Sequence, residues 1–231
     1  HNNSLILFDR FSLENYNSVV FAKSGAGKSY TVKLEILRSL MMGTEVFVID
    51  PENEYKHLAD TVGGSAINIS ISSDSHLNPF DIPEAGEGED FREVFRSHIL
   101  DLTGLFKLML GELTPEESSL LDEALIQTYA LKDITLENNN GRDEMPLLSD
   151  FQNILEGLAG AESMAIRIRK YTEGTFAGFL NRPTNVSLEN RMVVFSIRDM
   201  EDELWPIAMY LILNYIWTKV RTNIKKRLLV V

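Results

Sequence analysis

Short hydrophobic runs along the chain are separated by longer segments whose hydrophobic residues recur at helical spacing. A nearly continuous hydrophobic run is typical of a parallel strand that is covered on both faces. Such β-like runs occupy residues 4–8, 16–21, 44–50, 65–71 and 191–197. Helical spacing follows residue 30 and returns at 54–61, 91–182 and 204–220. The pattern predicts an α/β fold with a mainly parallel central sheet flanked by helices.

The middle of the chain interrupts this alternation. A glycine- and acid-rich stretch at residues 84–90 precedes about ninety residues of helical periodicity. Within them, Thr114, Pro115 and Glu117 form a capping-box signature, with threonine at the N-cap and glutamate at N3. We therefore predict an all-α insertion at residues 88–182, carried on a core formed by residues 1–87 and 183–231. Its apolar stripes are interpreted as core rather than as a cofactor pocket.

The segment after the run at 16–21 has the pattern of a phosphate-binding loop. It reads A-K-S-G-A-G-K-S from Ala22 to Ser29 and leads into a helical stretch. In such loops backbone N–H groups surround phosphate oxygens at a helix N-terminus. The predicted nucleotide-binding residues are Lys23, Ser24, Gly25, Ala26, Gly27, Lys28, Ser29 and Tyr30.

Two residues of this loop are predicted to act chemically. Lys28 can reach the β- and γ-phosphates, and the hydroxyl of Ser29 suits coordination of Mg²⁺. Ala22 stands where the pattern expects its first glycine, so the turn that leaves the strand must accommodate a Cβ atom. The expected cofactors are ATP and Mg²⁺.

Carboxylates follow the hydrophobic run at 44–50. Asp50, Glu52 and Glu54 fall where a parallel strand would deliver them to the ligand-binding edge of the sheet. There they could hold a Mg²⁺-bound water or orient the attacking one, and Asp50 and Glu54 are the preferred candidates. In the alternative interpretation, Asp50 caps the next helix and the glutamates only favour the helix dipole.

The insertion contains one basic cluster, at residues 166–171, followed by a Gly-Thr-Phe stretch that ends at Arg182. Charged runs usually form a solvated helix face. The alternative is an arginine presented to the γ-phosphate of a neighbouring subunit, for which Arg169 and Arg182 are the candidates.

Composition narrows the possible partners. The formal net charge of −12 argues against a surface coated with DNA or lying on an anionic membrane, so any nucleic-acid contact must be local. The absence of cysteine excludes disulfides and thiolate metal sites. No hydrophobic stretch reaches the roughly 18 residues of a membrane-spanning helix.

The chain closes on four hydrophobic residues, Leu228 to Val231. A phosphate-loop enzyme needs a hydrophobic strand ending in an acid that polarises water. We therefore expect the sequence to be a piece of a longer protein that stops just before its Walker B acids, and not a degenerate enzyme.

Four motifs together resemble the motor domain of TraC-type ATPases of conjugation and type IV secretion. They are the phosphate loop, Asp-Pro-Glu-Asn-Glu-Tyr at 50–55, Leu-Asn-Pro-Phe at 77–80 and Gly-Thr-Phe-Ala-Gly-Phe at 174–179. The second motif is similar to that of the HerA/FtsK branch, and the last two point within this branch.

The resemblance implies a RecA-like P-loop NTPase with a helical insertion, ATP hydrolysis and a hexamer. It also implies contacts with other subunits of a secretion channel, at the cytoplasmic, inner face of the cell membrane. Lys28, Ser29, Asp50 and Glu54 match the family's positions, whereas no arginine finger can be transferred.

Two alternatives remain open at this point. The first is a DNA translocase of the HerA/FtsK branch, which the net charge mildly disfavours. The second is a nucleotide-gated scaffold that binds ATP or ADP without turnover.

Overall fold

A four-stranded parallel sheet forms the centre of the protein in the computed structural model, which describes residues 12–86, 88–139, 141 and 144–231. Its strands are β1 (Glu45–Asp50), β2 (Ser65–Asn68), β3 (Met192–Ser196) and β4 (Arg227–Val230), in the order β2-β3-β1-β4. All three pairings are parallel. The predicted α/β class with a parallel sheet is therefore confirmed.

The register places the carboxyl ends of three strands at one edge. Asp50 is the register partner of Ser196, and Ser196 is also the partner of Asn68. β2 is shorter than the run at 65–71 predicts, because the chain bends after Asn68, where the Ser73 hydroxyl donates to the Asn68 carbonyl. Side chains that follow β1 and β3 thus emerge close to one another.

Helices cover the sheet, and most occur where the sequence predicts them. They are α1 (Lys28–Met41), α2 (Lys56–Thr61), α3 (Phe91–Leu110), α4 (Pro115–Ala130), α5 (Leu148–Gly157), α6 (Glu162–Thr172), α7 (Ala177–Leu180) and α8 (Trp205–Thr222). Across the described ranges, no helix has the length and hydrophobicity that crossing a bilayer requires.

The two faces of the sheet bury different cores. Alternate β1 residues point to opposite sides, as in any strand. Val46 and Val48 join Ile36 of α1 in a small cluster, which Ala59 of α2 also joins. Phe47 and Ile49 instead join a much larger cluster with the helices α3 to α8. The face that carries α1 therefore buries far less apolar surface.

The helices between β2 and β3 pack directly on the sheet. Phe80, which follows β2, packs against the adjacent rings of Phe106 and Phe151, and its carbonyl accepts a hydrogen bond from the Tyr129 hydroxyl. The predicted capping box at Thr114 is present. The core of these helices is continuous with that of the sheet, and the domain limits at 87/88 and 182/183 stay a prediction.

The strand predicted at residues 16–21 is wrong. These residues are irregular and exposed, and Val19 and Phe21 retain 75% and 91% of their accessible surface. β3 and β4 occupy both sides of β1, and the run pairs with neither of the edge strands β2 and β4. Because it joins no strand ladder, the run stays exposed to solvent. The run at 4–8 lies outside the described residues.

Candidate functional site: a glycine loop at the start of α1

The glycine loop adopts a backbone that only glycine tolerates well. Gly25 and Gly27 have φ angles of +78° and +90°, in the left-handed region. The amide of Ala26 donates to the Lys23 carbonyl at 3.0 Å and closes a tight turn. The loop thus bends sharply before α1 begins at Lys28.

The first turn of α1 is open to a ligand. Its first amides have no acceptor within the helix, and they lie at the positive end of the helix dipole. No acidic side chain occupies this turn, and the Thr31 hydroxyl is bonded back to the Gly27 carbonyl at 3.1 Å. The Ser29 hydroxyl, by contrast, makes no hydrogen bond within the described residues. An anion fits this position.

A metal ion at this site would need oxygen ligands from elsewhere. Across the described ranges there is no group of three or more His, Asp or Glu side chains that could hold a metal. A hydroxyl beside phosphate oxygens and waters is nevertheless a suitable set of ligands for Mg²⁺. Ser29 is the side chain that fits this role.

Asp50 shapes the loop that follows β1. Its side chain is buried, and its two carboxylate oxygens accept hydrogen bonds from the amides of Glu52 at 3.2 Å and Tyr55 at 2.8 Å. Asn53 has a left-handed φ of +57° within this loop, and α2 begins at Lys56 rather than at residue 54 as predicted. Asp50 therefore organises residues 51–55.

This loop lies beside the helix of the phosphate loop. The ammonium of Lys33 is 5.2 Å from the centre of the Tyr55 ring. Lys33 is one turn beyond Ser29, so both face the same side of α1. Burial, together with the charges of Glu54 and Asp50, raises the pKa of Tyr55. Glu54 is exposed and precedes Tyr55 in this loop.

The two candidate arginines differ in their surroundings. Arg169 is engaged by Glu156 at 2.9 Å and by Glu173 at 3.7 Å on the surface of the insertion. Arg182 is exposed and has no ion pair within the described residues. Burial is the main cause that lowers the pKa of His76, and the charge of Arg182 lowers this pKa further. Arg182 follows α7, where Gly178 approaches Ile71 just beyond β2, and so lies at the β2 edge of the sheet.

Sequence analysis missed a third arginine at the carboxyl edge. Arg198 is exposed and comes two residues after Ser196, the register partner of Asp50. The position after a buried strand, which singled out Asp50, could also have identified Arg198.

A glycine-rich loop that opens a helix beside a parallel sheet is typical of P-loop NTPases, and here an irregular segment precedes the loop in place of the usual strand. The chain belongs to the family described as "Helicase HerA, central domain", which matches residues 17–203. Among solved structures, VirB4 of Thermoanaerobacter pseudethanolicus is similar, with 26% identity and a TM-score of 0.83. That match covers 97% of this chain and 63% of the VirB4 chain.

The predicted resemblance to VirB4/TraC-like ATPases of the HerA branch is therefore confirmed. A comparison with curated protein sequences gives no match. The chain spans 63% of the solved VirB4 chain, which is less than two thirds of its length.

Proposed function

We propose that the chain binds ATP with Mg²⁺ at residues 23–30 and belongs to an ATP-hydrolysing motor that energises substrate transfer or pilus assembly in type IV secretion. The observation that carries this proposal is the glycine loop, whose left-handed Gly25 and Gly27 direct the chain into the open first turn of α1. Membership of the HerA family and the similarity to VirB4 support it.

We assign a separate role to each residue of the site. Backbone amides from Ser24 to Ser29 surround the phosphates, and the Lys28 ammonium stabilises charge on the departing γ-phosphate. Bound Mg²⁺, held by the Ser29 hydroxyl, would neutralise charge on the β- and γ-phosphates. Glu54 orients a water near the phosphates. Asp50 acts through the loop, since both of its oxygens already accept amide hydrogen bonds.

Replacing Lys28 by alanine tests the phosphate loop. We expect Lys28→Ala to weaken ATP binding at least about tenfold, because a direct charge–phosphate contact is lost. Calorimetric titration with ATP, with Mg²⁺ or with EDTA, measures this change. Lys107→Ala, which removes an exposed lysine near the end of α3, is the matched control. Equal affinity in both variants would exclude the loop from nucleotide binding.

We also propose that the motor works as a ring, in which Arg182 of one subunit approaches the γ-phosphate held by the next. Arg182 lies at the β2 edge, whereas α1 packs over β1 and next to Leu228 and Val230 of β4, at the other side of the sheet. This arrangement suits a contact between neighbouring subunits. The hexamer, other channel subunits and the inner face of the membrane are the surroundings that the family suggests.

Turnover distinguishes the two arginine candidates. In the ATP-hydrolysing assembly we expect Arg182→Ala to lower turnover about a thousandfold with nucleotide affinity unchanged, because a trans arginine acts on the transition state. Arg169→Ala should leave turnover within about twofold, since Glu156 and Glu173 already hold that side chain. The reverse order of effects would assign the role to Arg169.

A DNA translocase is the second candidate, favoured by the family's description as a helicase. It predicts ATPase activity that duplex DNA stimulates and that falls steeply with salt. A motor for secretion predicts turnover without this stimulation. A nucleotide-gated scaffold predicts tight ATP or ADP binding and no turnover under either condition.

A further inference from the structure

A cavity of about 390 Å³ lies on the far side of the sheet from the phosphate loop. It is bounded by the segment 77–84, by α3, by residues 186–189 just before β3 and by the last turns of α8. These elements approach the sheet at the amino ends of β3 and β4. Its size falls within the range of pockets that hold small ligands or single side chains. None of its lining residues takes part in the nucleotide site.

The charged side chains of this cavity are predominantly acidic. Four carboxylates line it, from Asp81, Glu84, Asp101 and Glu189, together with the single ammonium of Lys219. Lys219 is already paired with Glu189 at 2.6 Å. The other three carboxylates have no ion pair within the described residues. The cavity therefore carries uncompensated negative charge beside apolar walls such as Leu102 and Leu211.

Two of these carboxylates are partly removed from water. Burial raises the pKa of Asp81, and burial also raises the pKa of Asp101. The charge of Arg221 acts on Asp101 in the opposite direction, but this guanidinium is paired with Glu89 at 2.9 Å. A desolvated carboxylate without a counterion is costly, and a cation placed beside it removes that cost.

An exposed tryptophan lines a recess next to the cavity. A smaller recess shares Glu84 and Asp101 with the cavity, and Trp217 of α8 lines that recess. The ion pair of Arg221 with Glu89 also lines the recess, so the carboxylates of Glu84 and Asp101 remain in excess there. Trp217 keeps 58% of its surface exposed. Tryptophan is the aromatic side chain that attracts cations most strongly, and exposed tryptophans are enriched where partners bind. An aromatic face and free carboxylates therefore converge on one opening.

We propose that this cavity is a docking site for a basic segment of a partner protein, which inserts one arginine or lysine side chain between Asp101, Glu84 and the indole of Trp217. The apolar walls receive the aliphatic stem, and the carboxylates receive its charged end. A phosphate or nucleic-acid backbone is repelled from this opening. The proposal is independent of the nucleotide site.

The side chain of arginine itself is the probe. We expect N-acetyl-arginine methylamide to change the fluorescence of Trp217 saturably, with half-saturation near about 1 mM for a ligand of this size. Trp205→Phe leaves Trp217 as the sole tryptophan, and the unsubstituted chain is titrated in parallel. N-acetyl-citrulline methylamide has nearly the same shape without the charge and should not bind.

A matched pair of variants locates the binding. Asp101→Asn should weaken arginine binding about tenfold, whereas Asp122→Asn, which removes an exposed aspartate from α4, should not. Asp101→Asn should keep the stability of the parent, because the carboxylate it replaces is partly desolvated. Equal binding of arginine and citrulline probes, equal affinity in both variants, or no saturation would overturn the proposal.

Discussion

His98 lies in the large core between α3 and α4, where its Nε2 atom is 2.7 Å from the Tyr129 hydroxyl. Burial lowers the pKa of His98 to about 4. In the unfolded chain a histidine takes up its proton near pH 6.5. The neutral ring therefore contributes stability that is complete above that pH and is lost as the pH falls towards 4.

This residue should dominate the acid sensitivity of the fold. Between pH 7 and 4 the linkage amounts to about 3 kcal/mol of the free energy of unfolding. We expect His98→Gln to remove most of this pH dependence in urea denaturation curves. His57→Gln, at an exposed position of α2, should retain it. Parallel pH profiles for the parent and His98→Gln would contradict the assignment.

Residue-level prediction from the sequence was uneven for a physical reason. The glycines at 25 and 27 belong to a local sequence pattern, and the structure places both in the left-handed region. The place of Asp50 at a strand end was also predictable. Its engagement by the amides of Glu52 and Tyr55 was not, because it depends on how the following loop turns back.

At the scale of elements, hydrogen bonds and an ion pair connect the start of α4 to the helices α3 and α6. Thr114 and Glu117 form the capping box, and the Glu117 carboxylate also pairs with the Arg167 guanidinium of α6. Arg167 in turn donates to the Leu110 carbonyl at the end of α3, at 2.7 Å. Part of the basic cluster predicted as a solvated face thus joins three helices.

Removing the cap should destabilise the protein measurably. We expect Thr114→Ala to lower the free energy of unfolding by about 1 kcal/mol, because the Glu117 amide loses its acceptor. Thr114→Ser keeps the hydroxyl and should stay within about 0.3 kcal/mol of the parent. Urea denaturation at neutral pH measures both. A similar loss in both variants would indicate that the threonine methyl group, not the cap, matters.

Elements with their own start and stop signals were predictable, whereas sheet membership was not. The capping-box signal at Thr114 agrees with the observed start of α4. The run at 16–21 has strand composition but pairs with no strand of the sheet, and pairing is a property of two segments. Hydrophobic pattern alone cannot decide which strand lies beside which.

For the whole molecule, the unequal cores predict unequal local stability. Only a few side chains hold α1 and α2 to the sheet, whereas α3 to α8 share one large core. We expect amides of α1 to exchange with solvent at least about tenfold faster than those of α3 and α8. Hydrogen exchange by mass spectrometry, with and without ATP, measures this. Equal protection of both faces would contradict the prediction.

The double pairing of β1 has a mechanical consequence. Because β1 is hydrogen-bonded to β3 on one side and to β4 on the other, sliding it lengthwise would break two ladders at once. β1 can therefore move only as one rigid body with β3 and β4. During a nucleotide cycle we therefore expect the sheet to stay fixed. The parts that move relative to it are α1 and the five residues after Asp50, which contact the sheet from one side only.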